Sequence, residues 1–201
     1  LGDALLGGSQ YNSIYRNILI NHIVGIECDV SSNNSIHENY ITDSNVGISF
    51  SGSYQNIVYK NNITDCGTAV SIRGSNNAFY SNNFLENSNQ VSIRHTYLFS
   101  SNIITEYSTN NTFNLEPLSG GNFWSNYNGS DSNGDGIGDT PYIINDDTQD
   151  NQPLMEPIEI PMLEIPATIP EFPSWLILPL FLIATFVGII VRKRQSSSER
   201  F

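Results

Sequence analysis

Apolar and polar positions recur along the first half of the chain with a period of about 22 residues. Each unit has an asparagine followed two positions later by an apolar residue, and then two more apolar residues that are two positions apart. Spacing by two is typical of β-strands, because successive side chains point to opposite faces. The asparagines are Asn17, Asn39, Asn61 and Asn82, and the later apolar pairs are Ile26 and Cys28, Ile48 and Phe50, Val70 and Ile72, and Val91 and Ile93.

This repeat predicts a solenoid, in which one unit cannot bury its own apolar face and stacked units share a core. Three short strands with Asn-, Gly- and Ser-rich turns fit into one unit, so we predict an all-β protein, a right-handed parallel β-helix with rungs about 4.8 Å apart. The asparagine column is expected at a turn. There Asn is expected to adopt the left-handed conformation and to bond the same amide in neighbouring rungs.

Changes of composition predict five segments. The first begins in mid-coil, so we expect it to continue upstream in a longer precursor. The second contains Phe123, Trp124 and Tyr127, which are predicted to cover the last rung because aromatic rings bury much area. The segments are a β-helix at 1–118, an aromatic cap with an acidic loop at 119–152, a Pro-rich stalk at 153–174, a transmembrane helix at 175–191 and a basic cytoplasmic tail at 192–201.

The last three segments predict a membrane-anchored protein. Six prolines in residues 153–174 favour an extended spacer. Residues 175–191 carry no charge and precede the basic run Arg192-Lys193-Arg194, which predicts a single-pass anchor with a cytoplasmic C-terminus. The β-helix is then expected outside the cell.

The net charge limits the classes of molecule that the folded part of the chain is expected to bind. The formal net charge is −12, and residues 1–174 carry 19 acidic and four basic side chains. Such a surface repels phosphates, which argues against nucleic acid as a partner. Cys28 falls in an inward column and Cys66 in a turn, so they are not expected to form a disulfide.

The sharpest chemical signal is an acidic, glycine-rich loop between Asp131 and Tyr142. Oxygen ligands at alternate positions suit a hard cation such as calcium. The loop resembles the start of an EF-hand loop and, more closely, the calcium loops of thrombospondin type 3 repeats, but its twelfth position is Tyr142 rather than Glu. The alternative is a solvated acidic turn. The predicted calcium site comprises Asp131, Asn133, Asp135, Ile137 and Asp139.

Stacking of the repeat aligns outward residues into two rows. One is an aromatic row, which we interpret as a carbohydrate-binding strip or as simple cross-strand stacking: Tyr15, His37, Tyr59 and Tyr80. The other is an acidic row, which could supply paired carboxylates but is more simply a set of solvated turn residues: Asp43, Asp65 and Glu86. Four sequons predict glycosylation at Asn33, Asn62, Asn110 and Asn128.

The repeat resembles the right-handed β-helix repeats of the carbohydrate-binding and sugar-hydrolase superfamily, in particular its NosD-like branch. The stretches 120–127, 131–142 and 149–155 are similar to the endings of archaeal surface proteins of that branch. Pro170, Glu171 and Phe172, with the apolar segment and basic run, resemble archaeal C-terminal sorting signals, which implies a sorting protease as a partner. The family name implies copper, but His22, His37, His95, Cys28, Cys66, Met155 and Met162 are scattered, so copper is not expected.

We therefore predict a non-catalytic cell-surface module that binds polysaccharide or a surface-layer component. One alternative is a polysaccharide lyase or hydrolase whose catalytic rungs lie upstream of Leu1. Another is a purely structural envelope protein. No catalytic residue is predicted within the chain.

Overall fold

The computed structural model describes residues 4–94, 96–97, 105–106, 108–115 and 120–161. These residues belong to one compact unit, which spans residues 1–163. The described strands are β1 Ala4–Gly7, β2 Ser13–Tyr15, β3 Ile18–Ile20, β4 Val24–Asp29, β5 Ser35–His37, β6 Tyr40–Thr42, β7 Val46–Ser51, β8 Ile57–Tyr59, β9 Asn62–Thr64, β10 Thr68–Arg73, β11 Ala78–Tyr80, β12 Asn83–Leu85, β13 Val91–Ile93, β14 Thr96–Tyr97, β15 Thr105–Glu106, β16 Phe123–Trp124, β17 Tyr142–Asn145 and β18 Thr148–Asp150.

Three parallel sheets run along the molecule, as the repeat predicts. Sheet 1 has the order β1-β4-β7-β10-β13, sheet 2 has β2-β5-β8-β11, and sheet 3 has β3-β6-β9-β12-β16. Ile26 pairs with Ile48, and Ile48 pairs with Val70. Residues that are one repeat apart in the sequence are therefore neighbours in the sheet. The prediction of an all-β parallel β-helix is confirmed, and no helix occurs in the part of the chain that the structure describes.

The core is the stack of inward side chains from the three sheets. Mostly aliphatic residues fill its first rungs, and aromatic rings predominate in its last ones. Phe79 stacks on Phe113 with ring centroids 4.8 Å apart, and Phe84 stacks on Trp124 at 4.5 Å. The buried apolar residues are Leu19, Ile26, Cys28, Ile36, Ile41, Ile48, Phe50, Val58, Ile63, Cys66, Ala69, Val70, Ile72, Phe79, Phe84, Phe113 and Trp124.

Two ladders of asparagine side chains run parallel to the sheets. The first ladder lies before sheet 2 and comprises Asn12, Asn34, Asn56, Asn77 and Asn111. The second ladder lies between sheets 2 and 3 and comprises Asn17, Asn39, Asn61, Asn82 and Asn122. In each ladder, the backbone N–H and the side-chain NH₂ of one asparagine both donate to Oδ1 of the next, as between Asn39 and Asn61 at 3.0 and 2.9 Å.

The predicted ladder is confirmed, but the predicted backbone conformation was one residue out of place. The left-handed residue is the one before each of the first four asparagines of the second ladder: Arg16, Glu38, Lys60 and Ser81 have φ between 52° and 55°. The asparagines of the second ladder do not have positive φ angles. Their amides are needed to bond the neighbouring rungs, so a solvent-facing residue makes the sharp turn instead.

A fifth, incomplete rung follows β13. Asn111 extends the first ladder, and Phe113 lies in the core beneath Phe79. The antiparallel pair β14 and β15 comes between β13 and this rung in the sequence.

The cap closes the end of the core. Trp124 stacks between Phe84 and Tyr142, with centroid distances of 4.5 and 4.3 Å, and Tyr127 packs against the same cluster. Gly138 leaves room for the Tyr127 side chain, because a Cβ at position 138 would collide with the Tyr127 hydroxyl. Phe123 is half-buried in β16, beside Asn83, rather than on the core axis.

The start of the Pro-rich stretch runs back along sheet 3. The side chain of Asn83 donates to the Ile158 carbonyl at 2.8 Å and accepts from the Ile158 N–H at 2.9 Å. Ile160 and Pro161 lie beside Arg16 and Tyr40 of the first two complete rungs. Residues 156–161, here called the returning segment, are therefore docked on the solenoid, whereas the sequence predicted a projecting stalk from residue 153.

The predicted transmembrane helix at 175–191, the basic tail and the sorting motif at Pro170, Glu171 and Phe172 lie outside the described residues. Among the residues that are described, no helix is long and apolar enough to cross a membrane.

Candidate binding surfaces

The predicted aromatic row exists on the outer face of sheet 2. Pairing of β2, β5, β8 and β11 places its four members one above another. Tyr15 stacks on His37, His37 on Tyr59, and Tyr59 on Tyr80, with ring centroids 5.1, 4.8 and 5.4 Å apart and interplanar angles of 4°, 11° and 10°. The row is therefore a regular stack with one ring per rung.

The stack changes which parts of the rings a ligand can reach. We expected flat aromatic faces to receive sugar rings, but each inner face is covered by its neighbour. The edges of the rings and the tyrosine hydroxyls face outward instead. The two end members, Tyr15 and Tyr80, each have one face that no other member of the row covers, and Tyr15 is 51% exposed.

Polar contacts orient the imidazole in this row. Ser13 Oγ lies 3.0 Å from His37 Nε2, and Glu38 Oε1 lies 3.6 Å from His37 Nδ1. Arg16 Nε donates to Glu38 Oε2 at 2.7 Å, and this hydrogen bond holds the pKa of Glu38 below its usual value. Burial raises the pKa of Tyr80 at the other end of the row. The Tyr80 hydroxyl thus stays protonated and can donate a hydrogen bond.

The predicted acidic row occupies the turn between sheets 3 and 1. Asp43, Asp65 and Glu86 are exposed and left-handed, with φ of 55°, 52° and 50°. Asp43 accepts a hydrogen bond from the hydroxyl of Thr42, and Asp65 from that of Thr64, each at 3.0 Å. These local contacts are those of turn residues, which was the simpler of our two interpretations.

The acidic loop is folded around its own carboxylates. Asp131 accepts from the backbone N–H groups of Gly134, Asp135 and Gly136. Asp139 accepts from both the N–H and the hydroxyl of Ser132, which lowers the pKa of Asp139. Hydrogen bonds from within the loop thus occupy part of the acceptor capacity of the Asp131 and Asp139 carboxylates.

No three His, Cys, Asp or Glu side chains within the described part of the chain form a group that could hold a metal ion. The predicted calcium site at Asp131, Asn133, Asp135, Ile137 and Asp139 therefore gains no support from the structure. The loop instead has a clear structural role, because two backbone hydrogen bonds join it to residues 153–155, which follow the cap. The N–H of Gly138 donates to the carbonyl of Pro153, and that of Met155 donates to the carbonyl of Gly136.

The predicted glycosylation residues differ in exposure. Asn110 and Asn128 are exposed, whereas Asn33 and Asn62 are half-buried. Asn62 also lies beside Ile160 and Pro161 of the returning segment. An oligosaccharide transferase would reach Asn110 and Asn128 most easily in the folded chain.

Asp150 has a central structural role that the sequence did not predict, although it was considered as a further oxygen ligand of the acidic loop. It is fully buried, and its Oδ2 accepts from the backbone N–H of Asn122 at 2.7 Å, from the Asn122 side chain at 3.3 Å and from Trp124 Nε1 at 3.0 Å. The carboxylate takes the place that Oδ1 of a further asparagine would occupy in the second ladder. Gly121 makes room for it, because a Cβ there would collide with the carboxylate. Burial raises the pKa of Asp150.

Stacked parallel rungs with ordered outward rows define a β-helix repeat protein whose outer faces are its candidate binding surfaces. The family model described as "Periplasmic copper-binding protein (NosD)" matches residues 3–129, and the chain belongs to this family. The family is a periplasmic one by that description. No curated protein and no solved structure matches the chain.

Copper, the metal in the family's description, does not fit the described residues. Soft copper sites use clustered thiolate, thioether or imidazole ligands. Burial, with a smaller effect of Glu27, raises the pKa of Cys28 to about 12, and burial also raises the pKa of Cys66. Both thiols stay protonated in the core, and the donors of the described rungs do not converge.

Proposed function

We propose that the chain is a non-catalytic cell-surface module that binds an extended neutral polysaccharide along the aromatic row. The regular stack carries the proposal. Its members are 4.8 to 5.4 Å apart, close to the length of one sugar unit in an extended chain. The hydroxyls of Tyr59 and Tyr80 could then bond two successive sugars, while the ring edges of the row contact C–H groups of the sugars.

The charge of the molecule favours a neutral ligand. The net charge of −12 repels uronate- or sulfate-rich polymers. A surface location is part of the proposal, on the basis of the predicted anchor at 175–191 and the sorting motif. Asn110 and Asn128 would carry glycans on such a surface.

A glycan array followed by titration with the bound polysaccharide tests the row. Tyr59→Phe keeps the ring stack and removes one hydroxyl, so we expect affinity to fall about five- to tenfold. Tyr59→Ala breaks the stack and should lower affinity further. Tyr11→Ala is the matched control, because Tyr11 is 78% exposed and lies outside the row.

Unchanged binding by both Tyr59 variants would remove the row as a binding surface. Release of reducing or unsaturated sugars by the full-length protein, with the rungs expected upstream of Leu1, would favour the lyase or hydrolase alternative. Absence of any glycan binding would favour a purely structural envelope protein.

A further inference from the structure

The end of sheet 1 is left partly open by the cap. Strand β13 pairs with β10, and among the described strands no other pairs with it. Among the described residues, the fifth rung supplies residues 108–115 and strand β16 but no strand to sheet 1, and the hairpin of β17 and β18 lies beside β13 there. A gap therefore remains between β13 and β17.

Two cavities occupy this gap. The smaller, about 140 Å³, lies beside Val91 and Tyr142. The larger, about 390 Å³, lies beside Ile93 and Asn145. The volume of the larger cavity is within the range of small-molecule binding sites.

The larger cavity has a polar wall and an apolar floor. Ile93 forms the floor, and Asn110, Asn145, Asp147 and Thr148 contribute to the wall. Asn145 Oδ1 accepts from the Asp147 N–H at 3.0 Å, which leaves the Asn145 NH₂ group for a ligand. Within the described part of the chain, the side chains of Asn110, Asp147 and Thr148 make no hydrogen bond.

This combination of groups suits sugar hydroxyls. A hydroxyl both donates and accepts, and so do the amides of Asn110 and Asn145 and the hydroxyl of Thr148. Asp147 accepts strongly and repels anions, and no Lys, Arg or His belongs to the described lining. The aliphatic floor suits the C–H face of a pyranose.

We propose that the cavity between β13 and β17 is a binding site for a neutral sugar of one or two units. The site lies at the end of sheet 1, whereas the aromatic row lies on sheet 2. It is a second site, and its existence does not depend on binding along the row.

The test is calorimetric titration of the full chain, produced without glycosylation and kept in a detergent that has no sugar headgroup. The probes are glucose, galactose, mannose, N-acetylglucosamine and their β-linked disaccharides, with glucuronic acid as the charged comparison. We expect at least one neutral probe to bind and glucuronic acid to bind more weakly.

Variants locate the binding. Asp147→Ala and Thr148→Val should each weaken binding about five- to tenfold, and Thr148→Trp should abolish it by filling the cavity. Asp146→Ala is the matched control, because Asp146 is exposed in the same turn and does not line the cavity. Tyr59→Ala should leave this binding unchanged, which separates the site from the row.

The proposal is overturned if none of the neutral probes binds. It is also overturned if a probe binds with equal affinity to the wild type and to Asp147→Ala, Thr148→Val and Thr148→Trp. Loss of binding in Tyr59→Ala alone would assign the sugar to the aromatic row.

Discussion

Asn61 shows how one side chain holds three rungs together. Its NH₂ group donates to Asn82 Oδ1 at 2.9 Å and to the carbonyl oxygens of Ile36 and Tyr59 at 2.9 and 3.1 Å. Its Oδ1 accepts two hydrogen bonds from Asn39. Every one of these groups except those of the half-buried Tyr59 belongs to a buried residue.

We expect Asn61→Ala to lower the free energy of unfolding by about 3 kcal/mol or more, because several buried groups lose their partner at about 1–3 kcal/mol each. Urea unfolding measures the change. Asn17→Ala is the control in the same ladder: Asn17 is exposed, and we expect a loss of about 1 kcal/mol or less. Equal losses in the two variants would contradict the importance of burial.

The repeat predicted the second ladder, but it did not predict that Asp150 would bond the last asparagine of that ladder. Asn39, Asn61 and Asn82 recur at nearly constant spacing, so their alignment follows from the period alone. Asp150 lies 28 residues after Asn122, its partner, and belongs to no repeat. A contact of that kind is set by the path of the cap, which a periodic pattern does not encode.

Among the elements, the returning segment departs most from expectation. Its prolines correctly indicate an extended chain, since proline prevents helix formation. The prolines do not indicate whether the extended chain projects from the solenoid or runs back along it. The two hydrogen bonds between Asn83 and Ile158 place the segment along sheet 3, and Asn83 is one of many asparagines whose partner could not be identified from sequence.

Asn83→Ala should release the returning segment, because both of these hydrogen bonds are lost. We expect a protease specific for glutamate to cut after Glu159 at least several-fold faster than in the wild type, whereas Pro157 protects the bond after Glu156. Limited proteolysis followed by mass spectrometry gives the rates. Asn89→Ala is the control, since Asn89 is an exposed asparagine that does not line the contact between the returning segment and the first rungs.

Equal cleavage rates in Asn83→Ala and the wild type would show that other contacts hold the segment. Ile160 and Pro161, which lie against the first rungs, would then be the anchoring residues.

At the scale of the whole molecule, the buried carboxylate of Asp150 links stability to pH. Its pKa is raised in the folded chain, so the folded state binds this proton more readily than the unfolded state does. Its stabilising contribution is complete below the pKa of the unfolded carboxyl, about 3.9, and is lost as pH rises through the higher folded value.

The difference in unfolding free energy between wild type and Asp150→Asn should therefore shift in favour of the variant as pH rises from about 4 to 7, by about 1.4 kcal/mol for each unit by which the pKa is raised. Urea unfolding at a series of pH values measures it. Asp146→Asn, with an exposed carboxylate, should show no such trend. A constant difference for Asp150→Asn would contradict the raised pKa.

The overall fold was predictable because one short pattern is repeated. The same strand arrangement must suit every copy, so each copy supports the assignment of strands in the others. The sequence also aligned Tyr15, His37, Tyr59 and Tyr80 correctly. It did not show that their ring faces cover one another, because that depends on side-chain rotation. The cavity beneath β17 was not foreseen either, since it arises where the repeat ends and β13 has no further partner among the described strands.

The asparagine ladders have a consequence for how such a molecule can change over time. Each internal junction between complete rungs uses the same pair of hydrogen bonds, and the Asp150 carboxylate closes the second ladder at the cap. Duplication or deletion of one whole unit in the gene would recreate the same junction and leave the cap untouched. Copy number could thus vary while folding is preserved, and the aromatic row would lengthen or shorten by one ring with each event.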